Sequence, residues 1–213
     1  MEASAKSAVF PLLSVSAIVI IACYIGAQMM ADIGSLKIAM VWGFSVDGGT
    51  FIYPFTFTLR DLVHKRLGKK AARTIVIMAA VINLVMALFF WIVSILPQDP
   101  EWGLGAEFSM ILGPVWHIVV ASIIAELVGE LLDTEIYHLW RTRVTKRYQW
   151  LRVLVSNAVS VPVDTFIFVL IAFAFFLPLG TVLEIFLFNI IVKYLVTIIS
   201  MPTIYLVKEG PIN

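Results

Sequence analysis

The sequence contains little charge and almost no cysteine. Asp, Glu, Lys and Arg make up 14% of the 213 residues, the formal net charge is +1, and Cys23 is the only cysteine. One cysteine excludes an internal disulfide framework and argues against a cysteine-based metal site. The basic residues lie between apolar segments rather than in one cluster, which argues against binding of nucleic acid. The composition therefore argues against a disulfide-stabilised fold and against a nucleic-acid-binding protein.

The motifs of common enzyme classes are also missing. The sequence has no Walker-type phosphate loop, no His-Glu-x-x-His zinc helix and no Gly-x-Ser-x-Gly nucleophile elbow. The histidines, His64, His117 and His138, are too scattered in the sequence to form a metal-binding motif. We therefore predict a protein that is not an enzyme and that holds no metal or cofactor.

Apolar residues, in contrast, dominate the chain. They account for 61% of it, and its mean hydropathy of +0.99 exceeds what a soluble protein of 23.8 kDa could bury. A bilayer-crossing helix needs about 20 apolar residues, and six stretches approach that length: 9–30, 43–62, 74–96, 109–132, 151–177 and 181–207. The sequence predicts an all-α integral membrane protein, one domain over residues 1–213, with six transmembrane helices. The first is expected to be retained rather than cleaved as a signal peptide.

The second of these stretches is the least regular. Gly43, Gly48, Gly49 and Pro54 interrupt it, and Asp47 lies near its start. Irregular backbone at membrane depth is tolerated only where protein or a water-filled cavity satisfies its polar groups. We therefore expect this segment to face the interior of the helix bundle.

The distribution of basic residues predicts the orientation of the chain. Two connections are rich in Lys and Arg, one with Lys65, Arg66, Lys69, Lys70 and Arg73, the other with Arg141, Arg143, Lys146, Arg147 and Arg152. The connection after the third stretch has Asp99, Glu101 and Glu107 and no Lys or Arg. Because basic loops stay on the cytoplasmic side, both termini are expected in the cytoplasm.

Carboxylates in the fourth stretch are candidate substrate-binding groups. Glu126, Glu130 and Asp133 are spaced i, i+4 and i+7, which places them on one helical face. A lone carboxylate at the middle of a spanning helix costs about 2.5–3.5 kcal/mol. The row therefore needs water, a cation, a proton or a ligand. The alternative is that Glu130 and Asp133 are solvated residues at the cytoplasmic end of the helix.

The last two stretches contain further polar residues. Asn157, Ser160 and Asp164 share one face of the fifth, and Pro162 leaves a backbone carbonyl one turn earlier without its helical donor. Asn189 and Lys193 lie one turn apart in the sixth, and Lys193 is too deep to be an end residue. We expect it to pair with Asp164 or Glu126. Hydrogen bonds and an ion pair that only hold the bundle together are the alternative.

The end of the second stretch adds candidates of lower specificity. Phe55 and Phe57 could stack on a flat ligand, although lipid-facing or interfacial positions are the usual fate of such aromatics. Arg60 and Asp61 are expected to serve structure or coupling, with interfacial anchoring as the alternative for Arg60.

Short motifs in a fixed order resemble the queuosine precursor transporter family of prokaryotic inner membranes. They are Gly-Thr-Phe-Ile-Tyr-Pro-Phe at 49–55 with Asp61, the basic segment 68–73, Gly-Glu-Leu-Leu-Asp at 129–133, Val-Asp-Thr at 163–165, Ile-Ala-Phe at 171–173, Lys193 and Pro202. Two departures are Ser-Val-Pro-Val at 160–163, where the family often has Gly-Asn or Gly-Gln, and Glu130 in place of the usual glutamine.

The resemblance implies an activity and a fold. The activity is uptake of 7-cyano-7-deazaguanine, 7-aminomethyl-7-deazaguanine or queuine for the queuosine of transfer RNA. The fold is a six-helix bundle similar to the substrate-binding subunits of energy-coupling factor importers. A deazaguanine presents a ring N–H beside an exocyclic amine, and a carboxylate of Glu126, Glu130 or Asp164 could accept both. Asn189 could meet the base carbonyl, and Lys193 could balance the buried negative charge.

Four kinds of function are compared from the sequence. A stand-alone carrier, with a proton or another ion as coupling partner, is the first. A binding subunit that works with a separate ATPase and scaffold is the second, and the small residues Ala27 and Ala31 are a candidate docking face for such a partner. A membrane scaffold protein without transport activity is the third. An intramembrane enzyme is the fourth, but the sequence shows no nucleophile and base for it. A homodimer is a further possible assembly.

Overall fold

The computed structural model describes residues 14–143 and 149–200. The helices are α1 (Val15–Gly34), α2 (Tyr53–Leu67), α3 (Lys69–Ile95), α4 (Gly105–Leu112), α5 (Val115–Arg143), α6 (Gln149–Phe173) and α7 (Leu179–Ser200). Between α1 and α2 lie strands β1 (Ile38–Val41) and β2 (Phe44–Asp47) and a 3-10 helix (Gly48–Phe51).

Four helical segments in the described part of the chain are long and apolar enough to cross a membrane. They are Val15–Gly34, Lys70–Ile95, Gly105–Gly129 and Leu179–Ile199. The apolar part of α6, Asn157–Phe173, is shorter, and α2 is not among the four. The predicted helical membrane protein is therefore confirmed in its class.

The second predicted stretch is not one helix. It begins within a β-hairpin whose first strand precedes the stretch and whose strands pair antiparallel, with Val41 opposite Phe44. The two turn residues, Trp42 and Gly43, both have positive φ angles of 52° and 86°, as a two-residue hairpin turn requires. Pro54 does not interrupt a helix but is the second residue of α2, where a missing N–H costs no helical hydrogen bond. The sequence interpretation did not include this hairpin.

Prolines also shape the later helices. Gly113 and Pro114 separate α4 from α5, within the fourth predicted stretch. Pro162 lies inside α6, so the carbonyl of Ala158 has no N–H donor from position 162. The hydroxyl of Tyr194 in α7 donates to that carbonyl at 3.1 Å. The free carbonyl that the sequence predicts is thus present, and α7 satisfies it.

The apolar core lies mainly among α5, α6 and α7. Ile118 and Ala121 belong to one buried cluster with Val169, Phe173 and Ile185. A second cluster joins α3 to α5 and consists of Met86, Ala87, Val115 and Val119. The shared core fixes the relative positions of the helices that hold the polar residues described below.

Large apolar side chains also cover the outer surface. Along α3 they are exposed at three- and four-residue spacing: Ile77, Val81, Leu84, Leu88, Ile92 and Ile95. A helix on the surface of a soluble protein shows polar residues at such positions. This face is suited to contact with lipid chains.

The small residues of α1 face inward. Ala27 and Ala31 are only 6% and 2% exposed. A Cβ atom added at Gly49 would come within 2.6 Å of the Ala31 carbonyl oxygen, so the 3-10 helix packs directly on this side of α1. The interpretation of Ala27 and Ala31 as a docking face for a partner is therefore wrong, because the chain itself covers them.

Candidate functional site

A buried ion pair joins α6 to α7. Lys193 Nζ lies 2.5 Å from Asp164 Oδ2 and donates to Thr165 Oγ1 at 3.0 Å. The same ammonium group lies 4.9 Å from the ring centroid of Tyr53 and 5.8 Å from that of Phe57, within range of cation–π attraction. Of the two partners that the sequence offers to Lys193, the structure selects Asp164.

The close approach of α5 to this pair depends on a glycine. A Cβ atom added at Gly129 would lie 3.2 Å from the Cβ of Asp164. Asp164 is buried, and its Oδ1 has no hydrogen-bond partner among the described residues. A buried acceptor without a donor is costly, so this oxygen is available to a ligand or a proton.

Glu126 belongs to a hydrogen-bond network that links α1, α3 and α5. Tyr24 donates its hydroxyl to Glu126 Oε1 at 2.9 Å. The amide of Gln28 donates to both carboxylate oxygens at 3.1 Å and to the Tyr24 hydroxyl at 2.9 Å. Asn83 donates to Gln28 Oε1 at 3.3 Å. These donors hold the Glu126 carboxylate in one orientation.

A second buried carboxylate, Asp47, organises the irregular segment. It accepts from Ser35 Oγ at 2.8 Å, from the backbone N–H and hydroxyl of Thr50 at 3.2 and 2.7 Å, and from Asn189 Nδ2 at 2.6 Å. Asn189 Oδ1 in turn accepts from Thr50 Oγ1 at 2.9 Å. The hairpin end is thereby tied to α1 and α7. The predicted interior position holds for Asp47 and Thr50, which are buried, but not for Phe44, Phe51 and Phe55, which are about half exposed.

Two small cavities meet at the ion pair. The hairpin-side cavity is lined by Lys193, and the second cavity by Asp164. Each leaves only about 10 Å³ for water-sized molecules. In this conformation neither can admit an organic molecule larger than water unless the helices separate.

The predicted site residues divide between the two cavities. Asn189 and Lys193 line the hairpin-side cavity. The second cavity is lined by Phe57, Arg60, Glu126, Gly129, Asn157, Ser160, Val161 and Asp164. Phe55 is half exposed and lines neither of these two cavities. The side chains of Asp61, Glu130 and Asp133 lie outside the part of the structure that is described.

Several polar residues of the site were not identified from the sequence. Tyr24, Gln28 and Asp32 are spaced i, i+4 and i+8 on α1, and all three are buried. That spacing in an apolar helix is the same signal that identified Asn157 and Asp164 in α6. Tyr53 and Phe168, which line the hairpin-side cavity, gave no such signal, because aromatic residues are common in membrane helices.

The arrangement suits binding of a polar molecule rather than a metal ion. In the described ranges no group of three or more His, Cys, Asp or Glu side chains could hold a metal. The buried groups are instead carboxylates, amides, one ammonium group and aromatic rings. This combination offers hydrogen bonds and flat apolar contacts to an organic ligand.

Comparison with known proteins identifies the family. A family model described as "Putative vitamin uptake transporter" matches residues 47–207. A "Probable queuosine precursor transporter" of Bacillus subtilis (strain 168) is 27% identical over 186 residues, covering 86% of this chain and 80% of that protein. A protein of the same name from Haemophilus influenzae is 28% identical over 146 residues, covering 68% and 60%. No solved structure matches the chain. The chain therefore belongs to the vitamin uptake transporter family, whose members are membrane transporters and not enzymes.

Proposed function

We propose that this protein imports queuosine precursors across the prokaryotic inner membrane. The substrates are 7-cyano-7-deazaguanine, 7-aminomethyl-7-deazaguanine or queuine. The names of the two relatives support this substrate class. We further propose six membrane crossings with both termini in the cytoplasm, which the basic connections on one side and the acidic connection on the other support.

The main observation behind the proposal is the meeting of two cavities at the Lys193–Asp164 pair. A carrier needs a central site that opens to one side of the membrane at a time. An ion pair whose lysine lines one cavity and whose aspartate lines the other is well suited to separate the two openings. Movement of α6 against α7 would then expose the site alternately.

The chemistry of the pair suits a deazaguanine. The ring N–H and the exocyclic amine of the base form two adjacent donors, and a carboxylate accepts both. Asp164 Oδ1 has no donor among the described residues, and Glu126 is already oriented by Tyr24 and Gln28. Lys193, which donates to Asp164 and Thr165, has a third N–H that could meet the carbonyl oxygen of the base. Asn189, in contrast, donates to Asp47 and to the Ile185 carbonyl and would have to exchange one of these bonds.

The proposed coupling ion is a proton. A proton taken up by Asp164 would remove its charge and weaken the attraction to Lys193. The pair would then separate more easily, which links protonation to opening. Such a carrier needs no ATPase, in contrast to the binding subunit of an energy-coupling factor importer.

Uptake in cells tests the proposal. The host lacks queuosine synthesis, its own importer and all energy-coupling factor subunits, but retains the enzymes that use the precursors. The chain is expected to restore queuosine in transfer RNA when a cyano or aminomethyl deazaguanine is supplied. Asp164→Asn is expected to abolish this, whereas Asp99→Asn, in an exposed connection, should not.

Three other results would change the assignment. No queuosine from either base, or from queuine in a suitable host, with the protein present in the membrane, would overturn the substrate class. Queuosine that appears only when an energy-coupling factor ATPase is supplied would identify a binding subunit. Full uptake by Asp164→Asn would overturn the role of the ion pair.

A further inference from the structure

An additional buried carboxylate lies on the hairpin-side cavity. Asp32, one turn after Gln28 on α1, is 4% exposed and lines this cavity. Its Oδ2 has no hydrogen-bond partner within the described residues. The other acidic residue of this cavity, Asp47, accepts hydrogen bonds from Ser35, Thr50 and Asn189. Asp32 is therefore the acidic group of this cavity with capacity for a new donor.

Two parallel aromatic rings line the same cavity. The centroids of Tyr53 and Phe168 are 6.5 Å apart, and their planes differ by only 10°. Rings in direct overlaid contact lie about 3.5–4 Å apart, and a flat ring inserted between two others needs roughly 7 Å. The 6.5 Å between the centroids of Tyr53 and Phe168 includes any lateral offset of the rings, so it describes two near-parallel faces, and separation of α2 from α6 would open a slot between them.

Each of these rings is held by a perpendicular neighbour. Phe57 contacts Tyr53 edge to face, with centroids 5.3 Å apart and planes at 83°. Phe173 contacts Phe168 in the same way, at 5.7 Å and 88°. Edge-to-face contacts fix ring orientation. The orientations of the two faces are thus fixed by their own neighbours, while the spacing between them increases when the helices separate.

We propose that Tyr53 and Phe168 clamp the flat ring of the substrate and that Asp32 selects a guanine-type edge. This inference rests on the proposed function and assigns the substrate's recognition to a carboxylate that the sequence interpretation did not include. Both oxygens of Asp32 would accept from the substrate, one from the ring N–H and one from the exocyclic amine. Asp164 then remains paired with Lys193, and separation of this pair opens the site.

The inference predicts how ligand preference changes when the exocyclic amine of the base is replaced by a carbonyl oxygen. In a 2-oxo analogue such as 7-deazaxanthine, the ring N–H donor stands beside a carbonyl acceptor. A carboxylate has no donor for that acceptor, but the amide of asparagine offers one acceptor and one donor. Asp32→Asn should therefore lose affinity for the deazaguanine and gain affinity for the deazaxanthine.

The experiment measures equilibrium binding to the purified full chain in lipid nanodiscs. The probes are 7-cyano-7-deazaguanine and the 7-cyano derivatives of 7-deazaxanthine and 7-deazahypoxanthine, which differ from it only at the 2-position; the deazahypoxanthine lacks the exocyclic amine. The wild-type chain is expected to bind the first at least about 10-fold more tightly than the other two, because a hydrogen bond to a charged group is lost in each case. In Asp32→Asn the order of the first two should reverse.

The aromatic clamp is tested by a matched pair of substitutions. Phe168→Leu should weaken binding of 7-cyano-7-deazaguanine about 5- to 100-fold, as loss of one stacked ring does. Phe175→Leu, which changes a ring that is 82% exposed, should leave binding unchanged. The comparison of probes on the wild-type chain needs no substitution, so equal binding of the deazaguanine and the deazahypoxanthine would overturn recognition by a carboxylate even if a variant fails to fold, whereas the reversal in Asp32→Asn assigns that carboxylate to Asp32.

The possible results distinguish a failure of the proposed function from a failure of the roles given to Asp32 and the two rings. If the wild-type chain binds none of the deazaguanines, the proposed function falls and this inference with it. If it binds 7-cyano-7-deazaguanine and the deazahypoxanthine equally, or if Asp32→Asn keeps the wild-type preference, the role of Asp32 is overturned while the proposed function stands. Equal binding by Phe168→Leu and Phe175→Leu would overturn the clamp.

Discussion

At the scale of single residues, the Lys193–Asp164 pair shows how charge is accommodated in an apolar chain. Both side chains are almost fully buried, at 2% and 4% exposure. Each charge is compensated by the other, and Lys193 has a further acceptor in Thr165. Loss of one member therefore leaves an uncompensated charge in a low-dielectric surrounding, which costs more than loss of both.

Lys193→Met is expected to destabilise the protein by about 3–5 kcal/mol. The double variant Lys193→Met with Asp164→Leu should recover most of that loss, because no unpaired charge remains. Unfolding of the protein in detergent measures both. Lys37→Met, on an exposed lysine, is the control. A double variant no more stable than Lys193→Met would contradict this explanation.

Two glycines on different helices provide a matched comparison. Alanine in place of a helical glycine normally stabilises by about 1 kcal/mol. Gly26→Ala should show this gain, because nothing lies within 4 Å of the added Cβ atom. Gly129→Ala should show no gain or a loss, because its Cβ atom would press on Asp164 at 3.2 Å. Equal effects in the same unfolding measurement would contradict the close contact of α5 with α6.

At the scale of secondary-structure elements, the hairpin and the 3-10 helix depend on side chains far away in the sequence. Four hydrogen bonds converge on Asp47, from Ser35 Oγ, the N–H and hydroxyl of Thr50, and Asn189 Nδ2. The backbone N–H of Ser45 donates to Glu184 of α7 at 2.8 Å. Irregular backbone is stable here because neighbouring elements satisfy its polar groups.

Asp47→Ala should therefore destabilise the protein by several kcal/mol. Each buried donor left without an acceptor costs about 1–3 kcal/mol. Asp99→Ala, on an exposed connection, should change the free energy of unfolding by less than about 0.5 kcal/mol. Chemical unfolding in detergent compares the two. A small effect of Asp47→Ala would show that the segment is held by other contacts.

The hydrogen bond from Tyr194 of α7 to the Ala158 carbonyl of α6 leads to a further prediction. Tyr194→Phe removes the donor to the Ala158 carbonyl and should cost about 0.5–1.5 kcal/mol. In a Pro162→Ala background the helix supplies its own N–H to that carbonyl, so the same change should cost less. A double-mutant cycle on unfolding free energies measures the difference. Identical costs in both backgrounds would exclude the proposed compensation.

Sequence reasoning identified some elements better than others, for physical reasons. The long apolar helices and the need of Lys193 for a carboxylate partner, Asp164 or Glu126, follow from the cost of burying charge in a bilayer, and the choice of Asp164 follows only from the packing of α6 on α7. The hairpin could not be predicted in this way. Its strands, Ile38–Val41 and Phe44–Asp47, are short, and the apolar residues beside them have the composition of a membrane helix. The network of Gln28 and Asn83 depends on packing between α1 and α3.

At the scale of the whole molecule, the charged connections define two sides. Asp99 and Glu101 lie in the connection between α3 and α4, whereas Lys70 and Arg73 lie at the opposite end of α3. The proposed orientation places the basic end at the cytoplasm and the hairpin at the outer side.

Labelling of introduced cysteines tests this orientation. Cys23 is the only native cysteine, and its side chain is exposed on α1, so a Cys23→Ser background should be tolerated. In intact cells, Glu101→Cys should react with a membrane-impermeant maleimide. Lys70→Cys should react only after permeabilisation. Reaction of Lys70→Cys in intact cells, with Glu101→Cys protected, would reverse the orientation.

The link between the hairpin and α7 also has a consequence for the order of biosynthesis. Ser45 and Asp47 find their partners Glu184 and Asn189 at positions 139 and 142 residues later in the chain. While the ribosome is still making the intervening helices, the hairpin segment lacks these acceptors and donors. A nascent chain that stops before α7 therefore leaves these polar groups of the hairpin segment without their partners, so we expect the segment to fold only after α7 has been made.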